Sequence, residues 1–211
     1  MKSLISLDLH VSKFSSDGDV NDYYNRYDYD VKLVDEETDE ELLIGKGTSV
    51  LYLLEKSVDD SYDMMDAFDD NHHEGFYDLL FDERGCVKDE WEESMTINGN
   101  CHGNILVQDR LELLPDYQHK RYGEEVRHIL RNLFYGCYGL EIIHSFPLQL
   151  ELFDNSERWR EQMHYDEMEH DSKIAFDSLN SYYRKSGYEQ YNNSEYFFRF
   201  PSPDSMEDDM E

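Results

Sequence analysis

The chain has 211 residues, with 49 acidic side chains against 19 Lys and Arg, for a formal net charge of -30. Such a balance disfavours nucleic acid and anionic membrane surfaces over most of the protein. No apolar run approaches the roughly 20 residues that a membrane span needs.

A hydrophobic fraction of 39% and an aromatic fraction of 14% are enough for a core. The length suits one domain over 1–200. The segment 201–211, with Pro201, Pro203 and a run of acids, reads as a disordered tail. Cys86, Cys101 and Cys137 make an odd set without a Cys-x-x-Cys pair. Met1 to Leu9 lacks the pattern of a signal peptide. Both features point to a cytoplasmic protein with reduced thiols.

Leu4 to Val11 alternates roughly with period two and predicts a strand. Residues 15–22 form a turn or loop. Tyr27, Tyr29, Val31 and Leu33 share one face of a second strand. After the acidic turn Asp35–Glu41, the apolar stretch Leu42–Leu54 predicts a third. Residues 58–83 are helical in pattern, with Gly75 as a divider. Gly85–Glu93 is polar and predicts a loop, and Ile97–Gly103 a Gly and Asn turn.

Ile105 to Leu114 has the strongest strand pattern, and Pro115 ends it. Gly123 opens a helix whose Val126, Ile129, Leu130, Leu133 and Phe134 share one amphipathic face. Gly139 to Phe146 is the next strand. Short connections join these pieces, so residues 105–146 predict a βαβ unit with parallel strands. Residues 156–186 tend to helix, Gly187 breaks it, and Tyr196–Phe200 is a last strand.

The loop Gln118–Gly123 stands out against the acidic background. Lys120, Arg121, Arg127 and Arg131 face Glu124 and Glu125 in sequence, a local excess of positive charge. A loop leading into a helix presents unpaired N–H groups and the positive end of the helix dipole, which together suit an anion.

Here the sequence resembles a family. Pro115-Asp-Tyr-Gln-His-Lys-Arg-Tyr-Gly123 is similar to motif A of the GNAT superfamily of N-acetyltransferases, a strand and Pro followed by Arg/Gln-x-x-Gly-x-Gly/Ala opening a helix. Gln118 and Gly123 match, and Arg121 stands where the family prefers its middle Gly. Tyr182-Tyr-Arg-Lys-Ser-Gly-Tyr188 resembles the family's later Tyr-x-x-x-Gly-Phe signature through Tyr183, Gly187 and Tyr188. The two segments lie in the family's order, and the resemblance covers about 104–200.

It implies an α/β (α+β) fold, a GNAT-like mixed twisted β-sheet flanked by α-helices. It also implies acetyl-CoA as cofactor, contacted by Leu113, Leu114, Gln118, His119, Lys120, Arg121, Tyr122, Gly123 and Glu124, with the loop amides on the pyrophosphate. Tyr183 is then the proton donor to the leaving thiolate.

Acyl transfer to an amine also needs a base. Glu112, on the strand before the loop, is the candidate, with Asp109 and Glu141 as competitors. The expected activity is acetyl transfer to a primary amine of a small molecule or protein. The acid surface suits a cationic acceptor, such as a polyamine, a Lys side chain or an aminoglycoside, and the chain is compatible with a homodimer. Two alternatives are a catalytically degenerate binding or regulatory protein on the same fold, and an acidic nucleic-acid mimic. The pairs Glu161/His164 and Glu167/His170 share one segment and turn to different helix faces, so no metal site is expected.

Overall fold

A computed structural model describes residues 3–12, 19–97, 103–151 and 157–201. Residues 202–211 of the expected tail, 98–102 of the expected turn Ile97–Gly103, with Cys101, and 15–18 of the expected loop 15–22 lie outside the described residues.

Seven strands form one mixed sheet. They are β1 (Ser3–Ser12), β2 (Tyr24–Asp35), β3 (Glu41–Tyr52), β4 (Ile105–Leu113), β5 (Leu140–His144), β6 (Glu189–Gln190) and β7 (Tyr196–Arg199), in the spatial order β1-β2-β3-β4-β5-β7-β6. All neighbours are antiparallel except β4 and β5, which run parallel. The parallel pair brackets the helix α5 (Tyr122–Leu133), as the strand–helix–strand reading of 105–146 required.

Each face of the sheet is covered. On one face, Val50, Tyr52, Ile105, Val107, Leu140 and Ile142 pack against Met64, Phe68, Phe76, Leu80 and Trp91. These come from α2 (Met65–Asp69), α3 (Glu74–Leu80), α4 (Asp89–Ile97) and the connection that follows α1 (Leu54–Asp60). On the other face, Tyr29, Val31 and Leu106 pack against Val126, Leu130 and Phe134 of α5 and its end. Beside them Ile143 and Phe197 pack on Tyr183 of α7 (Ser172–Lys185). The alternation of Tyr27, Tyr29, Val31 and Leu33 places all four on the α5 face, because side chains two apart share a side of the pleat.

Three sequence readings need correction. The helical pattern of 58–83 is three short helices. Ser61 (φ 54°) ends α1, and His72 (φ 58°) lies between α2 and α3. Gly75 lies inside α3 instead of dividing it, and an added Cβ there would meet Tyr196 Oη at 2.1 Å.

Gly85–Glu93 is not all loop. α4 begins at Asp89, anchored by buried Trp91 and Met95, while Asp89, Glu90 and Glu92 favour its positive N-terminal end. Two apolar residues one turn apart made too narrow a stripe to read as periodic. The stretch 156–186 divides into α6 (Glu157–Met163), a 3-10 turn and α7, with Asp171 capping α7 through a bond from Ile174 N–H. The short β6 had no pattern to reveal it.

Candidate functional site

The sheet opens between β4 and β5. Their parallel pairing covers Ile105–Val107 against Leu140–Ile142 and then stops, although β4 runs on to Leu113. β5 meanwhile keeps its other edge on β7 through His144. Ligand sites in open α/β sheets form at the carboxyl ends of such strands.

A bulge sits at the same level. Thr48 pairs with Arg110 and Ser49 with Gln108, which leaves Asp109 extra. The added residue shifts the pleat by one, so that Leu106 before it and Leu111 and Leu113 after it all meet the α5 face.

The loop after β4 is tightly organised. Gln118 Nε2 donates to the Leu113 carbonyl at 2.8 Å and closes the turn. His119 (φ 59°) and Arg121 (φ 66°) are both left-handed, on either side of Lys120. Such alternation turns successive N–H groups into an anion-binding concavity. Among the described residues, the N–H groups of His119, Lys120, Tyr122 and Gly123 donate to no protein acceptor.

The left-handed φ at Arg121 costs a residue with a side chain about 1 kcal/mol relative to Gly. The Arg121 side chain does not fill the turn. It is 74% exposed and pairs with Glu124 at 2.9 Å. Lys120 lies 5.4 Å from the Tyr117 ring centroid, and Tyr122 packs into the core beneath α5. Leu113 is paired with Gly45, and the Leu114 N–H is given to the Ile44 carbonyl at 2.8 Å, so the sheet already uses both backbones.

Beside the loop, between α5 and the end of α7, runs a cavity of about 390 Å³. Arg121 at the N-cap of α5 and Arg127 and Arg131, one helical turn apart within it, line it with Lys185 and Arg199, against Glu124 as the single acid. Five of the 19 Lys and Arg of the chain thus converge here.

Arg127 is the unusual member of this set. It is only 6% exposed, and among the described residues it contacts no carboxylate. Its Nη1 donates to the Gly123 carbonyl at 3.2 Å and to Tyr182 Oη at 2.6 Å. The rings of Tyr182 and Tyr183 each lie 5.2 Å from the guanidinium. A buried cation held only by neutral groups is strongly disfavoured unless an anion joins it. Gly123 is explained within the protein, since an added Cβ would stand 2.9 Å from that same Tyr182 Oη.

The second family-like segment also has an internal explanation. Gly187 (φ 80°) ends α7, with Tyr188 N–H bonded to the Tyr183 carbonyl and Gly187 N–H to that of Arg184. This is a Schellman end, in which the residues now occupied by Tyr183 and Tyr188 touch. Their rings lie 5.9 Å apart. Tyr183 is 8% exposed and lines neither cavity described here. Burial raises its pKa, so its hydroxyl stays protonated at neutral pH.

Glu112 is enclosed too. It accepts from Trp159 Nε1 at 3.1 Å and from the Tyr165 hydroxyl, and it pairs with Arg110 at 3.2 Å. Glu141 is 1% exposed on the α7 face, where Tyr188 donates to it.

A second cavity, of about 420 Å³, opens on the other face where β4 and β5 part. Asp109 of the bulge, His73, Phe76, His144 and Phe146 meet there. His73 Nδ1 is 2.8 Å from the Tyr52 hydroxyl. Burial holds Tyr52 protonated, so its hydroxyl can donate to that nitrogen, and the other ring nitrogen is Nε2. That atom stands 3.1 Å from Asp109 Oδ1, within contact but poorly aligned for a hydrogen bond. Burial opposes the charged form of Asp109, and the His73 contact together with the charges of Arg26 and Arg110 outweighs it, so the carboxyl lies below its ordinary range.

The sequence names Asp109 as a competitor for the base and, from the acidic run around His72 and His73, suggests a surface position for both histidines; His73 is instead 4% exposed, and His144 reaches the site from a distant segment. Among the described residues no cluster of His, Cys, Asp and Glu could hold a metal ion, and no helix is long and apolar enough to cross a membrane. No protein-family model matches the chain, and no curated protein matches it.

Proposed function

We propose that the protein is an acetyl-CoA-dependent N-acyltransferase acting on a primary amine. Arg127 carries this reading, as a buried guanidinium without a carboxylate in a groove of converging cations. A ligand with several phosphates supplies the missing countercharge, and the 118–123 loop joins the same groove through Arg121. The resemblance of Gln118–Gly123 to the acetyltransferase loop points to the same ligand.

In the reaction the amine nitrogen attacks the thioester carbonyl. A C–N bond forms, the C–S bond breaks, the coenzyme leaves as a thiolate that takes up a proton, and the ammonium proton is lost. Glu112 is closed off by Trp159, Tyr165 and Arg110. Asp109 is the strand carboxylate that reaches a cavity, and it takes over the acceptor side. Tyr183 packs the end of α7 in this reading.

Calorimetric titration tests the core of the proposal. Acetyl-CoA is expected to bind in the micromolar range and acetyl-pantetheine, which lacks the nucleotide and its phosphates, far more weakly. Equal affinity for the two, or no binding of either at millimolar concentration, would sink it.

The enclosure of Glu112 and Tyr183, the side chains expected as base and acid, favours a second reading. It is a coenzyme-binding protein without turnover. Acetyl-CoA binding with no thiol release over a panel of amines would establish that reading.

A further inference from the structure

The cavity beside Asp109 differs in character from the groove, and its chemistry narrows the acceptor. One wall is apolar, built from Phe76, Phe146, Leu148 and Leu150. The aromatic side chains there are ordered against one another. Phe76 is 5.2 Å from Tyr196, which stacks on His144 at 5.0 Å, and His144 is 5.9 Å from Phe146.

The charges are mostly settled internally. Arg110 holds Glu151 through both guanidinium nitrogens, at 3.2 and 2.8 Å. Asp109 is left as the lining carboxylate that no Lys or Arg contacts among the described residues. Its side chain is 32% exposed, and His73, itself fixed by Tyr52, stands behind it. One open carboxylate beside an aromatic and aliphatic wall fits one ammonium on an apolar body. It does not fit a chain of several charges, whose further ammonium groups would lie against Leu148 and Leu150 without carboxylate partners.

From this juxtaposition we infer that the cleft is an acceptor site for a monocationic arylalkyl or branched alkyl primary amine, with Asp109 as the ammonium anchor, and not for a polyamine or an aminoglycoside. The inference rests on the acyl-transfer reading for the word acceptor, but binding of the amine can be measured without coenzyme. The anchor works by a charge-assisted hydrogen bond, and the wall contributes by excluding water from it. His73 and Tyr52 act as positioning residues that hold the carboxylate in the mouth of the cleft.

The test uses the full chain and three probes, 2-phenylethylamine, its neutral analogue 2-phenylethanol, and spermidine. The coenzyme-free protein is expected to bind 2-phenylethylamine at least about tenfold more tightly than spermidine. Asp109→Asn should weaken the amine by about tenfold and leave 2-phenylethanol unchanged. Phe146→Ala should weaken both aromatic probes, and it stands as an independent variant should the first disturb folding.

Spermidine binding as tightly as the aromatic amine, or Asp109→Asn leaving amine affinity intact, would overturn the inference. Acetyl-CoA binding without any binding of 2-phenylethylamine would overturn it and spare the acyl-transfer reading. Amine binding that obeys Asp109, in a protein that ignores acetyl-CoA, would do the reverse.

Discussion

The groove and the cleft treat charge in opposite ways. The groove on the α5 face gathers Arg121, Arg127, Arg131, Lys185 and Arg199 against Glu124. The cleft on the α3 face pairs Arg110 with Glu151, sets His73 beside one open carboxylate, Asp109, and is otherwise largely apolar and aromatic. On a chain of net charge -30, cations that stay together at close quarters, one of them buried, call for an anion from outside. The cleft makes no such demand, and its specificity must come from shape and from one carboxylate.

The sharpest way to break this contrast is Arg127→Met. Loss of a buried charge-assisted contact should weaken acetyl-CoA by roughly 30- to 100-fold. The ligand-free protein should meanwhile be as stable as before, or more stable by up to about 2 kcal/mol, because a desolvated charge has been replaced by a matching apolar chain. Titration calorimetry and urea unfolding read the two effects separately. A variant that loses stability instead would make Arg127 a structural residue, and the groove would no longer imply a ligand.

Gly187→Ala probes how the groove is framed. Gly187 is left-handed and lines the groove, with Arg199 Nη1 at 3.4 Å from the position of an added Cβ. A side chain there should cost about 1 kcal/mol through backbone strain, seen as a lower denaturation midpoint at unchanged slope. Coenzyme affinity should fall by less than in Arg127→Met. An unchanged midpoint would show that the end of α7 is held by other contacts.

On the cleft side the corresponding effect is smaller and depends on pH. The folded carboxyl of Asp109 lies below its ordinary value. A depressed carboxyl stabilises the fold above its unfolded pKa, about 3.9, and that contribution is lost as the pH falls through the folded value. The stability difference between wild type and Asp109→Asn should therefore be constant near pH 6 and shrink below about pH 4. Taking the difference cancels the titration of the remaining acidic surface. A difference that grows toward low pH would contradict the His73–Asp109 pairing.

The two openings also differ in how well they can be read from sequence. The groove was half legible, because Arg121, Glu124, Arg127 and Arg131 lie on one helix at a helical spacing and stand out on an acidic chain. Its other half, Lys185 and Arg199, arrives by tertiary packing of α7 and β7. The cleft was almost illegible, since His73, Asp109 and His144 sit far apart in the chain and are joined by sheet topology. The bulge that presents Asp109 shows up as a change in the face of Leu106 and Leu111, which a run of apolar residues hides. The strands were legible where one face is buried and alternation is forced, as at Tyr27–Leu33. The helices α1 to α3 were not divisible by eye, because Ser61 and His72 adopt left-handed conformations that their residue types do not announce.

Tyr183 is where a sequence pattern and a structural cause coincide, so Tyr183→Phe is expected to do least. The spacing Tyr183, Gly187, Tyr188 is what a Schellman end with its apolar contact requires. Replacing the hydroxyl keeps the ring against Tyr188 and Phe197, 5.9 and 5.5 Å away. Stability and coenzyme affinity should then change little, and kcat by less than about twofold. A general acid would show itself by a fall of about a hundredfold or more, with loss of the alkaline limb of the pH profile. Such a fall would mean that the enclosed phenol becomes reachable when ligand draws Arg127 toward the groove. The groove and the cleft would then act as one continuous site with Tyr183 at its centre.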